Sequence, residues 1–329
     1  MGKERILAIG TSAGGVEALS RLVAKLPNDL NAAVLIVLHL PENATSVLPE
    51  ILSRRGNLKA KRGEDGERIR TGQIYVAPPG KHMVVHDGRL HLVVGPRENG
   101  NRPAIDPLFR TVARSHGPAA IGLLLTGLLD DGTIGMAAIK RFGGITIAQD
   151  PHDAMFGDMP RNAIQTVGVD YVLSLEEIGP KIRELVEQPV PWEKEIDMPD
   201  QTELNLSELE DLENTGRPSP FVCPECQGTL FELYEDGISH YCCRVGHSYL
   251  QESLAQEQEE VLEAALWTAL RAVKEHNALL ERMATRAESK GFQISARNFR
   301  SKIDEGKSQM ELLSRALGLT RGRHAPSEV

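Results

Sequence analysis

Ser12 stands in Gly10-Thr11-Ser12-Ala13-Gly14, between the apolar run of residues 5–9 and a helix-like segment. The spacing fits G-x-S-x-G, a serine on a sharp strand-to-helix turn where glycines permit strained dihedrals and close approach of a substrate. Amides at the start of the following helix offer donors for an oxyanion. The same glycines also suit anion binding at a helix N-terminus, or a plain turn with a capping serine. A dinucleotide fingerprint is disfavoured: it needs Gly where Ser12 stands and an acid where the second strand ends in His39. A nucleophilic serine needs a base and an acid to orient it. His39 ends the second apolar run, and Asp130-Asp131 follow the third. In a doubly wound sheet these strand ends share one edge, where sites assemble.

A second cluster suggests different chemistry. All four cysteines lie between 223 and 243. Cys223-Pro-Glu-Cys226 is a C-x2-C knuckle, and Cys243-Arg-Val-Gly-His247 supplies a second pair after sixteen intervening residues. Cys223, Cys226, Cys243 and His247 would fill the four positions of a tetrahedral zinc, leaving none open, so the site would be structural. Cys242 is an alternative to Cys243, His240 a weaker candidate, and four reduced cysteines in a small hairpin the plain alternative. A ribbon of about thirty residues is too small to hold a core without such a staple.

The elements that must position these residues read as α/β. Residues 5–9, 33–38, 121–125, 144–148 and 171–173 are apolar on consecutive positions, the pattern of parallel strands covered on both faces. Helix-like segments near 14–26, 45–54, 106–115, 133–141 and 175–187 alternate with them, giving a doubly wound, mostly parallel sheet. Residues 73–95 interrupt the rhythm. Asp87-Gly88 is a hairpin turn signal, which predicts an antiparallel hairpin at one sheet edge. Prolines and acids over 188–220 read as an extended linker, with room for a short helix near Leu204–Leu212. Two apolar stripes follow the cysteines, one from Leu254 through Leu270 and Leu280 to Met283, the other from Phe292 through Ile303 to Leu317. They predict an antiparallel helical hairpin held by packing. The expected organisation is a catalytic domain over 1–188, a linker over 189–220, a zinc-ribbon-like module over 221–250, a helical hairpin over 251–318 and a flexible tail over 319–329.

Composition narrows the function classes. The 329 residues are 41% hydrophobic and 25% charged, which suits a soluble globular protein. No apolar run approaches the roughly 18–20 residues needed to span a bilayer, and the start carries no signal-peptide pattern. The expectation is a cytoplasmic protein with no membrane insertion. Aromatics at 4% argue against base-stacking platforms. The net charge of −9 is concentrated in residues 191–220, which hold nine acids and two bases. No basic patch points to nucleic acid.

Several ordered segments resemble the chemotaxis protein-glutamate methylesterases, the CheB catalytic domain. They are Ala8 through Leu19, Val37-Leu38-His39-Leu40-Pro41, Ile74 through Met83, Arg102 through Phe109, Leu125 through Gly132, Ala148-Gln149-Asp150 and Met159-Pro160-Arg161. The similarity covers about residues 4–188. It implies Ser12 as nucleophile, His39 as general base and Asp131, which directly precedes Gly132, as the orienting acid. Asp130 is then a solvated or helix-capping neighbour. The implied reaction is hydrolysis of glutamyl methyl esters on methyl-accepting chemoreceptors, with deamidation of certain glutamines, and no cofactor for catalysis. Some stand-alone members carry similar Cys/His tails.

Two departures qualify this. The family often carries a receiver domain before the catalytic strand, whereas here the catalytic strand comes first, so control in cis by a receiver is not expected. The family's Thr-Gly-Met-Gly reads Thr126-Gly127-Leu128-Leu129, which threatens the loop path that would offer an oxyanion amide. Arg161 would contact substrate or stay solvated. Alternative functions are an inactive or weakly active signalling adaptor on an esterase scaffold, or an esterase for a protein outside chemotaxis. The helical hairpin leaves a homo-oligomer open.

Overall fold

The computed structural model describes residues 4–190, 216–235 and 237–321. The chain divides into two compact units, Met1–Leu254 and Ala255–Val329. The greater part of the acidic stretch, including the helix expected near Leu204–Leu212, and the end of the tail lie outside the described residues.

The first unit contains a seven-stranded sheet. Its strands are β1 (Arg5–Thr11), β2 (Ala32–Leu38), β3 (Lys59–Arg62), β4 (Gln73–Val76), β7 (Ala120–Leu124), β8 (Ile145–Gln149) and β9 (Tyr171–Leu173), in the order β3-β4-β2-β1-β7-β8-β9. Every neighbouring pair is parallel. Along β1 the side chains alternate between two buried clusters. Leu7 and Ile9 pack with Leu19 and Leu22 of α1 (Gly15–Val23), Leu52 of α2 (Leu48–Arg55) and Ile178 of α6 (Leu175–Glu187). Ile6 and Ala8 pack on the other face with Phe109 of α3 (Ile105–His116), Ile139 of α4 (Thr133–Arg141) and Ala163 of α5 (Asp158–Val167). Two covered faces explain why the inner strands β1, β2, β7 and β8 are continuous apolar runs.

Two elements escaped the sequence. β3 is Lys-Ala-Lys-Arg, a charged edge strand with no apolar pattern. α5 carries only a short buried face, Met159, Pro160 and Ala163. The interrupted region also resolves differently from a single edge feature. Gln73–Val76 joins the main sheet in parallel, while β5 (His82–His86) and β6 (Arg89–Val93) form a separate two-stranded ribbon. Met83, Val85 and Leu90 of that ribbon pack in the cluster around Phe109, so the hairpin is held by α3 rather than by strand pairing.

A four-stranded antiparallel ribbon completes this unit: β10 (Arg217–Val222), β11 (Thr229–Glu235), β12 (Ile238–Cys243) and β13 (Ser248–Tyr249). β10 begins four residues before the boundary expected at 221. Pro218 and Pro220 are tolerated there because β10 is an edge strand. α7 (Gln251–Ser289) starts directly after the ribbon.

The second unit is the helical hairpin of α7 and α8 (Gln293–Arg321). Its seam runs through Leu270, Leu280, Ala284 and Ala287 against Ala296, Ile303 and Leu317. The helices pair within the chain, where Gly306 lets Asn277 approach and Asn277 reaches Met310. Met283 and Phe292, read as part of the stripes, are exposed, and Asn277 and small alanines take the seam positions between. No helix among the described residues is long and apolar enough to cross a membrane.

Candidate active site

The chain order of the sheet reverses between β1 and β7, and a ligand site is expected at the carboxyl ends of strands at such a switch point. Ser12, His39 and Asp131 converge there. His39 Nδ1 lies 3.2 Å from Ser12 Oγ, and His39 Nε2 lies 2.7 Å from Asp131 Oδ2. With Nε2 facing the carboxylate and carrying its proton, Nδ1 is the nitrogen free to accept from Ser12.

Adjacent strands hold the three in place. The His39 amide donates to Thr11 O at 3.2 Å, and the Ser12 amide donates to Thr126 O at 3.1 Å. Thr126, quoted in the sequence only as motif, is a hub: its hydroxyl donates to Ala13 O and accepts from the Phe156 amide. Gly127 is required by contact, since a Cβ there would come within 2.5 Å of Met159 and 3.1 Å of Ser12 Cβ. Exposed Leu128, Met155 and Phe156 rim the serine turn.

Asp131 is buried and surrounded by donors. Oδ2 accepts from His39 and from the Ile105 amide at 2.7 Å. Oδ1 accepts from Asn99 Nδ2 at 3.0 Å and the Asp106 amide at 3.3 Å. Two of these amides open α3, so a helix N-terminus faces the carboxylate. Burial works to raise the Asp131 carboxyl, but the His39 hydrogen bond and charge, Ile105 and Asn99 outweigh it, bringing it down to about 2. Asp106 moves the other way: burial and then the charge of Asp131 push it well above the usual carboxylate range. It caps α4 through the Gly135 amide at 2.7 Å.

Asp130 is not a solvated neighbour. It is buried, and its carboxylate accepts from the Glu252 amide at 3.0 Å and the Ser253 amide at 3.4 Å, capping the start of α7. Burial first, against the hydrogen bonds of Ser253 and Glu252, pushes it up to about 6. The loop before it keeps a glycine-like path, because Leu129 itself adopts φ +63°. Arg161 is exposed and pairs with Asp158 at 2.7 Å.

Cys223, Cys226, Cys243 and His247 also gather, with one ligand atom from each within 4.8 Å of the others. Cys226 and Cys243 Sγ are 3.7 Å apart, and His247 Nδ1 is 3.6 Å from Cys223 Sγ and 3.5 Å from Cys243 Sγ. A tetrahedron with Zn–S bonds of about 2.3 Å has edges of about 3.8 Å, so the donor set fits. His247 Nε2 faces Glu225 at 3.1 Å, the carboxylate–histidine arrangement that orients a metal ligand. Cys242 points away into contact with Phe231, and burial pushes its thiol up to about 12. His240 is on β12, outside the cluster.

The family model described as CheB methylesterase matches residues 7–182. The chain belongs to the CheB methylesterase family. A putative protein-glutamate methylesterase/protein-glutamine glutaminase of Leptospira interrogans is 39% identical over 174 residues, covering 53% of this chain and 90% of that protein. A protein-glutamate methylesterase/protein-glutamine glutaminase of Chromobacterium violaceum is 41% identical over 180 residues, 54% of this chain and 50% of the relative. The crystal structure of the Thermotoga maritima CheB methylesterase catalytic domain matches with a TM-score of 0.54 and 32% identity, covering 56% of this chain and 99% of that one. These matches cover about half of this chain, and the family model spans the CheB-type fold without the Cys/His ribbon.

Proposed function

We propose that this CheB-family chain is a serine hydrolase that removes methyl esters from glutamyl side chains of methyl-accepting chemoreceptors, and deamidates glutamines by the same route. The observation that carries the reading is the continuous hydrogen-bonded line from Ser12 Oγ through both nitrogens of His39 to a buried, donor-saturated Asp131. Ser12 Oγ attacks the ester carbonyl as His39 Nδ1 takes its proton, and Asp131 stabilises the imidazolium through Nε2. The tetrahedral intermediate collapses, and methoxide leaves as methanol with the proton from Nδ1. Water then loses a proton to Nδ1 and attacks the acyl-enzyme, and as the second tetrahedral intermediate collapses Nδ1 returns that proton to Ser12 Oγ and the glutamate is released. With an amide substrate the same proton leaves on ammonia. Exposed Leu128, Met155 and Phe156 offer the reacting segment an apolar rim.

Catalysis needs no cofactor in this scheme. Cys223, Cys226, Cys243 and His247 are read as a closed structural zinc site, whose ion would staple the ribbon and supply no reaction chemistry. The adaptor alternative rests in part on the Leu128-Leu129 change, and the left-handed φ of Leu129 answers that part because it keeps a glycine-like backbone.

The test is methanol release from a methylated receptor fragment, native protein against Ser12→Ala, with an activated ester alongside. Release that vanishes in Ser12→Ala is expected. Hydrolysis of neither compound by the folded native protein would sink the esterase reading. Turnover of the activated ester alone would shift the substrate to another protein.

A further inference from the structure

We propose that Asn99 is a positioning residue for the triad acid and that the Cys/His ribbon, by fixing Asn99, forms part of the active site. The inference rests on the esterase reading above.

Asn99 is 4% exposed and adopts φ +51° in a turn closed by Glu98 and Asn101. Its polar groups are claimed from two sides. On one side, Nδ2 donates to Asp131 Oδ1 at 3.0 Å and to Asp106 Oδ2 at 3.1 Å. The Asn99 backbone carbonyl accepts from Asn101 Nδ2 at 2.6 Å within the turn, and on the other side the ribbon end supplies partners for the carboxamide oxygen and the backbone amide. Oδ1 accepts from the Leu250 amide at 2.9 Å, and the Asn99 amide donates to Ser248 O at 2.7 Å. A carboxamide presents a donor on one arm and an acceptor on the other. By occupying the acceptor arm, Leu250 turns the donor arm toward Asp131. Without that contact, the amide is free to rotate about its last torsion and point an oxygen at two carboxyls.

The ribbon is seated on the α/β region by more than this one residue. Ile238 and Leu250 pack with Ile134 and Ala137 of α4, forming an apolar seam. Asp130, next to Asp131 in the chain, caps the helix that leaves the ribbon. Asp130 is therefore tied to the start of α7, and Asp131, through Asn99, to the ribbon end that leads into it. The titratable and charged groups around Asp131 are His39, Asp106 and the buried His82, with Arg110 and its partner Glu98 beyond. Asn99 is the neutral side-chain donor among them.

The experiment uses the full chain and an activated ester. It compares native protein, Asn99→Ala, Ile238→Asp and the double variant, with thermal unfolding as the folding control. Ala137→Asp, on the opposite side of the same seam, replaces Ile238→Asp should that variant not fold. Losing one hydrogen bond to a charged group is expected to lower kcat by about 10–100-fold in Asn99→Ala, with KM unchanged. The acidic limb of its pH–rate profile is expected to move to higher pH. The Asp131 anion, less stabilised, holds the His39 cation more tightly, so more alkaline conditions are needed to free the base. Ile238→Asp is expected to lower kcat through the same contact, and the double variant to fall no further than Asn99→Ala. Native kcat and an unmoved pH limb in Asn99→Ala would overturn the positioning role. Losses that multiply in the double variant would overturn the ribbon's action through Asn99. Both results leave the esterase reading standing, provided that Ser12→Ala is inactive in the same assay, whereas an active Ser12→Ala removes that reading itself.

Discussion

The α/β region and the Cys/His ribbon each hold a few reactive side chains in fixed geometry, but with different means. The α/β region buries two continuous apolar clusters, one on each face of its sheet, and its triad hangs on strand ends anchored in both. The ribbon's own cluster is Cys223, Leu230, Cys243, Tyr249 and Leu254, and two of those five are metal-ligand candidates. Removing the ligands from the ribbon therefore removes much of its core, whereas Ser12 and His39 belong to neither apolar cluster of the first region. The first region supports its chemistry with a fold that would exist without it. On the zinc reading proposed above, the second would depend on its bound ion to fold.

The largest effect should come from the triad acid. Asp131→Asn is expected to lower hydrolysis by about 10⁴-fold, the scale seen when a triad histidine loses the partner that fixes its tautomer. Unfolding should remain cooperative, because the sheet clusters are untouched. A steady-state assay with thermal denaturation checks this, and a fall below tenfold would deny Asp131 its orienting role.

Next comes the staple. Zinc content measured after exhaustive chelation should drop from one equivalent to none, and Cys223→Ser should bind none. Amides of β10–β13 are then expected to exchange with solvent far faster, while those of β1, β2 and β7 stay protected. Unchanged protection of the ribbon would break the comparison, since it would show that the ribbon's apolar packing suffices without the ligated ion. Hydrolysis should fall as the ribbon loosens, in step with the Asn99 contact.

A smaller effect concerns where the two regions meet. The folded-state pKa of Asp130 is raised from 3.8 to about 6 by burial. A raised carboxyl binds its proton more tightly in the folded state. Its stabilising contribution is therefore present below pH 4 and is lost as pH rises through about 6. The difference is worth about 3 kcal/mol at neutral pH. Asp131, lowered to about 2, contributes with the opposite sign: its stabilisation is present above pH 4 and lost as pH falls through about 2. Urea denaturation of native protein and Asp130→Asn across pH 4–7 isolates the Asp130 part. The stability of native protein relative to the variant should decline over that range, and a difference that grows with pH would contradict the burial argument.

The smallest effect is at Leu129. A non-glycine residue in the left-handed region costs about 1–2 kcal/mol, and glycine gives back about half of that through the unfolded chain. Leu129→Gly should raise stability by up to about 1 kcal/mol without changing kcat. Destabilisation would mean that the leucine side chain packs better than its half-buried position indicates.

Much of this was legible in the residues. The apolar runs located β1, β2, β7 and β8 because strands buried on both faces need no alternation, and the short run Tyr171–Leu173 located the edge strand β9 although Val172 is exposed. The segments at 133–141 and 175–187 coincide with α4 and α6. β3 was silent because an edge strand of Lys and Arg has no core-facing pattern. Gln73–Val76 looked like a partner of the following hairpin because it is close in sequence, yet it pairs with strands on either side of it in the sheet. Asn99 gave only a turn signal, Asn-Gly, which describes its backbone and not the use of its side chain.

The amino-acid sequence alone determined the sheet class, the serine on its turn, the histidine and acids at neighbouring strand ends, and the four-ligand spacing of the ribbon. Each depends on local order: runs, turns and short intervals. Tertiary structure decided which nitrogen of His39 meets the serine, that Asp130 serves α7 while Asp131 serves His39, and that Asn99 joins the ribbon to the triad. The contacts of Asn99 span 32 residues to Asp131 and 151 to Leu250. A hydrogen bond over such separations imposes no periodicity on the chain between its ends, so only the folded packing reveals it.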